Sequence, residues 1–170
     1  MAAFIWIVCA AALTTVLAQG QRASPHETVS ATVHGAKVSI SYGRPYVKGR
    51  TIMGYVVPLG TVWRTGADEA TTLVTDHALM IGGVHVTPGT YTLYTLPGEK
   101  EWKLIVNSET GQWGTEYTQA RDLGRVDMRV GRTGALVEQL TLSIAEMPAG
   151  GELRLQWERT DLTVPFTVMR

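Results

Sequence analysis

The chain of 170 residues has almost no cysteine. Cys9 is alone, inside an apolar stretch near the N-terminus, so no disulfide can form within the chain. An excess of charge of either sign is also missing: 15 basic residues balance 15 acidic ones. No basic stripe offers an electrostatic footprint for nucleic acid, and no acidic tail forms a solvating arm. The chain has no internal repeat and no low-complexity tract. No G-x-S-x-G elbow occurs, which removes the best-known signature of a serine hydrolase. No His-x-x-x-His spacing occurs, and with cysteine lacking too, the usual structural zinc patterns are excluded. Helical periodicity is scarce as well. Only Thr115–Leu123, stopped by Gly124, reads as a short helix.

What is present begins with an apolar run from Phe4 to Ala18 that ends in Val16-Leu17-Ala18, a small-residue cleavage pattern. It reads as a secretory signal peptide over residues 1–18, although no Lys or Arg precedes the run. Export to the periplasm or the outside follows, with the membrane met only transiently through this leader. Residues 19–170 then form one domain. Its 170 − 18 = 152 residues contain no cysteine, so the core alone must hold the fold. A domain of about 150 residues buries enough surface for that.

The rest of the chain is dominated by short alternations of apolar and polar residues. Val29, Ala31 and Val33 face Val38, Ile40 and Tyr42 across a two-residue turn at His34-Gly35. This pairs Ala31 with Val38 and Val29 with Ile40. Ala70–Thr75 reads as a strand. His77–Val86 reads as a hairpin with Ile81 opposite Val84, Met80 opposite His85 and Leu79 opposite Val86. Thr90–Asn107 reads as another, turning at Pro97–Lys100, with Leu93 opposite Leu104, Thr95 opposite Trp102, and Tyr94 and Lys103 outward. Val126, Met128 and Val130 alternate with charges. Leu140, Leu142 and Ile144 face Leu153, Leu155 and Trp157 around Pro148–Gly151. Leu162–Val168 is a last strand, placed at an edge by Pro165. The expectation is an all-β antiparallel sandwich, with a barrel as the alternative.

One stretch breaks this pattern. Residues 42–71, YGRPYVKGRTIMGYVVPLGTVWRTGADEAT, carry glycines at 43, 49, 54, 60 and 66 and prolines at 45 and 58. So much punctuation forbids a helix or a long strand, yet the stretch is too apolar for a solvated linker. A long ordered irregular segment is often functional. It holds four cations, Arg44, Lys48, Arg50 and Arg64, against Asp68 and Glu69. The candidate ligand-binding residues are therefore Tyr42, Arg44, Arg50, Trp63, Arg64, Asp68 and Glu69. Trp113, bracketed by Gly111 and Gly114, joins them as a loop tryptophan that could stack on a sugar or wedge between sheets.

Metal and acid–base chemistry receive less support. His77 and His85 fall on opposite faces of their hairpin, His34 sits in a turn and His26 lies near the start, so no metal and no cofactor is expected. Asp68 and Glu69 are adjacent, and adjacent residues of an extended chain point to opposite sides. They are more simply read as partners of Arg64 or Arg44.

Several motifs carry a likeness: Ser24-Pro25, Tyr42-Gly43-Arg44-Pro45, Val47-Lys48-Gly49-Arg50, Val62–Ala67, Glu69-Ala70-Thr71, Pro88–Tyr91, Gln112-Trp113-Gly114 and Trp157-Glu158. Together they resemble the family called domain of unknown function 2911, over nearly the whole mature chain. That resemblance implies exported bacterial β-sandwich proteins and no particular activity. It departs at Asp68, where the family pattern leads one to expect asparagine. The functional expectation is an exported, non-enzymatic domain that binds an unidentified small ligand or envelope partner through Tyr42–Thr71. The alternatives are a hydrolase-like enzyme using Asp68 or Glu69 with Arg44 and Arg64, aided by Glu116, Tyr117 or Asp122, and a purely structural envelope protein.

Overall fold

The computed structural model describes residues 23–169, so the expected leader lies outside the described residues. Nine strands follow one another: β1 (His26–Val33), β2 (Ala36–Gly43), β3 (Thr72–Thr75), β4 (Leu79–Ile81), β5 (Val84–Val86), β6 (Gly89–Leu96), β7 (Trp102–Asn107), β8 (Asp122–Met147) and β9 (Gly150–Val168). All pairings are antiparallel, and the order across the sheet is β1-β2-β3-β6-β7-β8-β9-β4-β5. The sheet does not close into a barrel. Strand β8 belongs to both flanks: its start pairs with β7, and from Arg129 onward it pairs with β9. Val38, Ile40, Leu93 and Leu104 of one flank meet Leu142, Leu155, Leu162 and Phe166 of the other in one buried cluster. The sheet thus folds over on itself around a single core, as a sandwich does.

The first hairpin has the expected register, with Ala31 opposite Val38 and Val29 opposite Ile40. His34 and Gly35 both take positive φ, 48° and 91°, which a tight turn matched to the twist of the strands demands. The β4–β5 hairpin also has the expected pairs.

Four expectations need correction. In the β6–β7 hairpin Thr95, not Leu93, lies opposite Leu104, and Leu93 lies opposite Val106. The tight turn is at Gly98–Glu101, where a side chain on Gly98 would meet the Glu101 carbonyl at 2.3 Å. A slip of two residues leaves every side chain on its face, so Leu104 and Trp102 stay buried. Tyr94 points away from the core but is buried, because the 108–121 connection covers it. Its hydroxyl donates to the Glu116 carbonyl and accepts from Gln112, and Tyr117 packs edge-on against its ring. The expected helix at Thr115–Leu123 is a single 3₁₀ turn, Gln119–Arg121, after which β8 begins. Finally, β9 is not an edge strand, because it lies between β8 and β4. Pro165 is tolerated because the β8 ladder ends at Thr163, so no donor is needed there.

The irregular segment joins β2 to β3 across the end of the fold. Val47, Ile52, Val57 and Trp63 plug it into the core. Its backbone is satisfied from both flanks. Val47 N–H donates to Glu138 at 2.7 Å, Leu140 N–H donates to Pro45 at 3.0 Å, and Trp63 and Thr95 exchange two bonds of 2.8 and 2.9 Å. A long stretch without strands can stay ordered on those terms.

Candidate ligand-binding site

Two glycines shape the site. A side chain on Gly43, the last residue of β2, would lie 2.3 Å from the Ala67 carbonyl. Only glycine lets the 65–69 turn press against the end of the first hairpin. A side chain on Gly114 would lie 2.3 Å from Arg64 Cδ and 2.7 Å from the Asp68 carbonyl. The Gly114 N–H donates to that carbonyl at 3.0 Å, and Glu69 bridges Trp113. The Arg64–Glu69 turn is therefore held between the first hairpin on one side and the 112–114 loop on the other.

Beside this turn is an open cavity of about 480 Å³. Its wall includes Tyr46, Lys48, Arg50, Val56, Trp63, Arg64, Asp68 and Trp157. Trp63 stacks on Trp157 with ring centroids 5.9 Å apart and planes 15° from parallel. The indole N–H of Trp157 is buried and has no acceptor among the described residues. Arg50 donates to the carbonyls of Val47 and Tyr46, Arg64 Nε donates to the Gly66 carbonyl at 3.3 Å, and Lys48 Nζ lies 5.5 Å from the Tyr46 ring centre. Among the described residues, no carboxylate pairs with any of these three cations. Against them the wall carries one carboxylate, Asp68, so the lining is net positive by 3 − 1 = 2.

The candidates divide. Arg50, Trp63, Arg64 and Asp68 line the cavity. Tyr42 is buried in the core, and its hydroxyl accepts the Leu142 N–H at 2.9 Å. Burial raises its pKa above the usual tyrosine value, with the Leu142 bond and Arg44 acting against the rise. Arg44 turns away from the cavity, ion-pairs with Glu27, and donates to the Leu140 carbonyl and the Thr141 hydroxyl. Trp113 is half exposed on the neighbouring loop. Tyr117 and Asp122, offered as helpers for catalysis, bond each other at 2.6 Å and both engage Arg125.

Asp68 and Glu69 do not point apart. Asp68 has φ of 65°, a left-handed conformation that breaks the extended alternation. Both carboxylates then reach His26 at the start of β1: Nε2 is 3.3 Å from Asp68 Oδ2 and 3.2 Å from Glu69 Oε2. The sequence reading missed this meeting, and no local signal could have revealed it. His26 lies 42 residues before Asp68 and pairs with Gly43, against which the 65–69 turn packs. The other three histidines are scattered: His34 bonds the end of β8, His77 bonds Asp76, and His85 faces Met80. Lys48 and Trp157 were visible in the sequence as a cation and a core tryptophan. Their place in the cavity was not.

A family model described as a protein of unknown function (DUF2911) matches residues 24–166. The chain belongs to that family. The matched span takes in all of β1 to β8 and β9 as far as Phe166, so the DUF2911 domain and the fold described above coincide. The segment that builds the cavity lies wholly inside the DUF2911 match. Comparison with curated proteins found no match, and neither did comparison with solved structures.

Proposed function

We propose that the protein is an exported, non-enzymatic domain that binds a small organic anion in the cavity beside Trp63. One observation carries this reading. Lys48, Arg50 and Arg64 converge on a cavity of about 480 Å³ without carboxylate partners among the described residues. Arginines set in a wall with unused donors are suited to a carboxylate, phosphate or sulfate, because the planar fork matches such groups. The aromatic wall of Trp63, Trp157 and Tyr46 suits an apolar or sugar face on the same ligand. For the hydrolase alternative, the pairing of Arg44 with Glu27 leaves Arg64 as the arginine available for a clamp.

The test is a thermal-shift panel of sugar acids, sugar phosphates and sugar sulfates, each beside its neutral parent. A ligand at about 100 times its dissociation constant adds about 2.7 kcal/mol of stability, a shift of several degrees for a domain of this size. Anions should raise the melting temperature, neutral parents should not, and Arg64→Lys should lose the response. A panel in which charge makes no difference, or a full response in Arg64→Lys, would refute the reading.

A further inference from the structure

The geometry points to a binding site for one divalent transition-metal ion at His26, Asp68 and Glu69, on the rim of the anion cavity. The three donor atoms all lie within 4.8 Å of one another. The two carboxylate oxygens approach the same imidazole nitrogen, at 3.2 and 3.3 Å. A ring nitrogen carries at most one proton, so it bonds one of these oxygens at a time. A metal ion among the three would take all three donors at once. Zinc holds nitrogen and oxygen ligands at about 2.0–2.2 Å, which spaces neighbouring donors of a tetrahedron about 3.4 Å apart. The two separations from the imidazole nitrogen, 3.3 and 3.2 Å, are already close to that.

The donor set also narrows the ion. An imidazole with two carboxylates suits zinc, cobalt, manganese or iron, whereas calcium and magnesium prefer oxygen alone. The chain has gone to some length to build the cluster. Asp68 adopts a left-handed φ that aims two adjacent carboxylates the same way, and Gly43 admits the turn against β1. The three side chains keep 33, 32 and 44% of their exposure, so an ion can enter from solvent.

The cluster also sits where a ligand has access. Asp68 lines the cavity beside Trp63, so an ion on its carboxylate would stand at the edge of that cavity. Three protein ligands leave an open position on a tetrahedral ion, the arrangement of sites that take a further ligand. The site departs from the expectation that the protein holds no metal. That expectation rested on the scatter of the histidines and the lack of a metal-ligand spacing, and it did not weigh carboxylates brought to His26 by the fold.

The experiment is equilibrium dialysis of the protein, purified from cells expressing the full chain, against Zn²⁺ with no organic anion present. Magnesium serves as the control. Variants His26→Gln, Glu69→Gln and Asp68→Asn are run in parallel. Asn is chosen because it tolerates a positive φ, and melting temperatures without metal show which variants are folded. The expected result is one zinc per chain, no magnesium, and at least a tenfold loss of zinc affinity in every folded variant. Substituting Co²⁺ should give visible d–d absorption that His26→Gln abolishes. Arg64→Lys should keep the zinc, so failure of the metal site and failure of the anion reading are told apart. No retained zinc in the parent protein, or undiminished zinc in a folded His26→Gln, would overturn the site.

Discussion

Arg44 is bonded to Glu27 across the open end of the first hairpin, and that bond turns its guanidinium away from the cavity that Arg64 lines. Two arginines of one segment thus do different work. Arg44 has only 21% of its side chain exposed and also holds Leu140 and Thr141. It ties the irregular segment to β1 and to the far half of β8. Arg44→Lys should therefore lose stability, by about 1–3 kcal/mol for charge-assisted bonds of this kind, while keeping the response to an anion. Arg64→Lys should do the reverse. Denaturant titrations and anion-induced melting shifts on both variants measure the difference, and equal behaviour would contradict the division.

Leu104 and Lys103 are neighbours on β7 with opposite surroundings. Leu104 is 3% exposed inside the core, and Lys103 reaches Asp127 at the surface. Leu104→Ala should cost roughly 2–5 kcal/mol. Lys103→Ala should cost far less, because exposed ion pairs contribute little. Urea midpoints with unchanged slopes would confirm the contrast. Similar losses would mean that the faces of β7 are misassigned.

Gly43→Ala tests the joint between the first hairpin and the site. The added carbon would lie 2.3 Å from a backbone oxygen, which cannot swing aside as a side chain could. The 65–69 turn must retreat. A loss of about 1–3 kcal/mol is expected, the range for overpacking a closed site, together with loss of the anion response. A Gly43→Ala protein that melts and binds as the parent does would show that the turn has room to spare.

Acid should weaken the protein partly through Asp161. Arg154 Nε donates to its Oδ1 at 2.7 Å, Arg154 Nη2 bonds its Oδ2, and this pairing holds the carboxyl below its usual pKa. A depressed folded-state value means the stabilisation is present above the unfolded value, near 3.9, and is lost as pH falls through the lower folded value. Asp161→Asn should thus be less stable than the parent at neutral pH, and the gap should close below about pH 4. Urea midpoints from pH 7 to pH 2 follow it. A constant gap would show that the pair does not report on the acid limb.

The hairpins were legible because each carries two independent signals, alternation along the strands and glycine in the turn. For β1–β2 the two agree on one register. For β6–β7 the turn signal was spread over Pro97–Lys100, and alternation cannot distinguish registers two residues apart, so the faces came out right and the pairs did not. Tyr94 looked outward because its cover, the 108–121 connection, has no period to announce that it packs on the sheet. In the site, the cations and Trp63 were visible because glycine spacing marked their segment. Burial of Tyr42 was legible as well, since it shares the apolar face of Val38 and Ile40, but diversion of Arg44 to Glu27 was not, since it depends on how the chain leaves β2 beside β1. His26 was hidden for a plainer reason. Its partners reach it through a left-handed Asp68 and a glycine contact, and neither leaves a mark on the local pattern.

Strand β8 runs unbroken from one flank of the sheet into the other. Neither flank is a sub-unit that could peel off and leave the other standing, because each borrows its border from the same 26 residues. Heat or denaturant should accordingly meet an all-or-none molecule, with one sigmoidal transition seen alike by tryptophan fluorescence and by backbone circular dichroism. Hydrogen exchange at the β8 amides should be as slow as global unfolding allows. A protein built this way should resist proteases until it unfolds as a whole, a useful property for a domain with no disulfide to hold it shut.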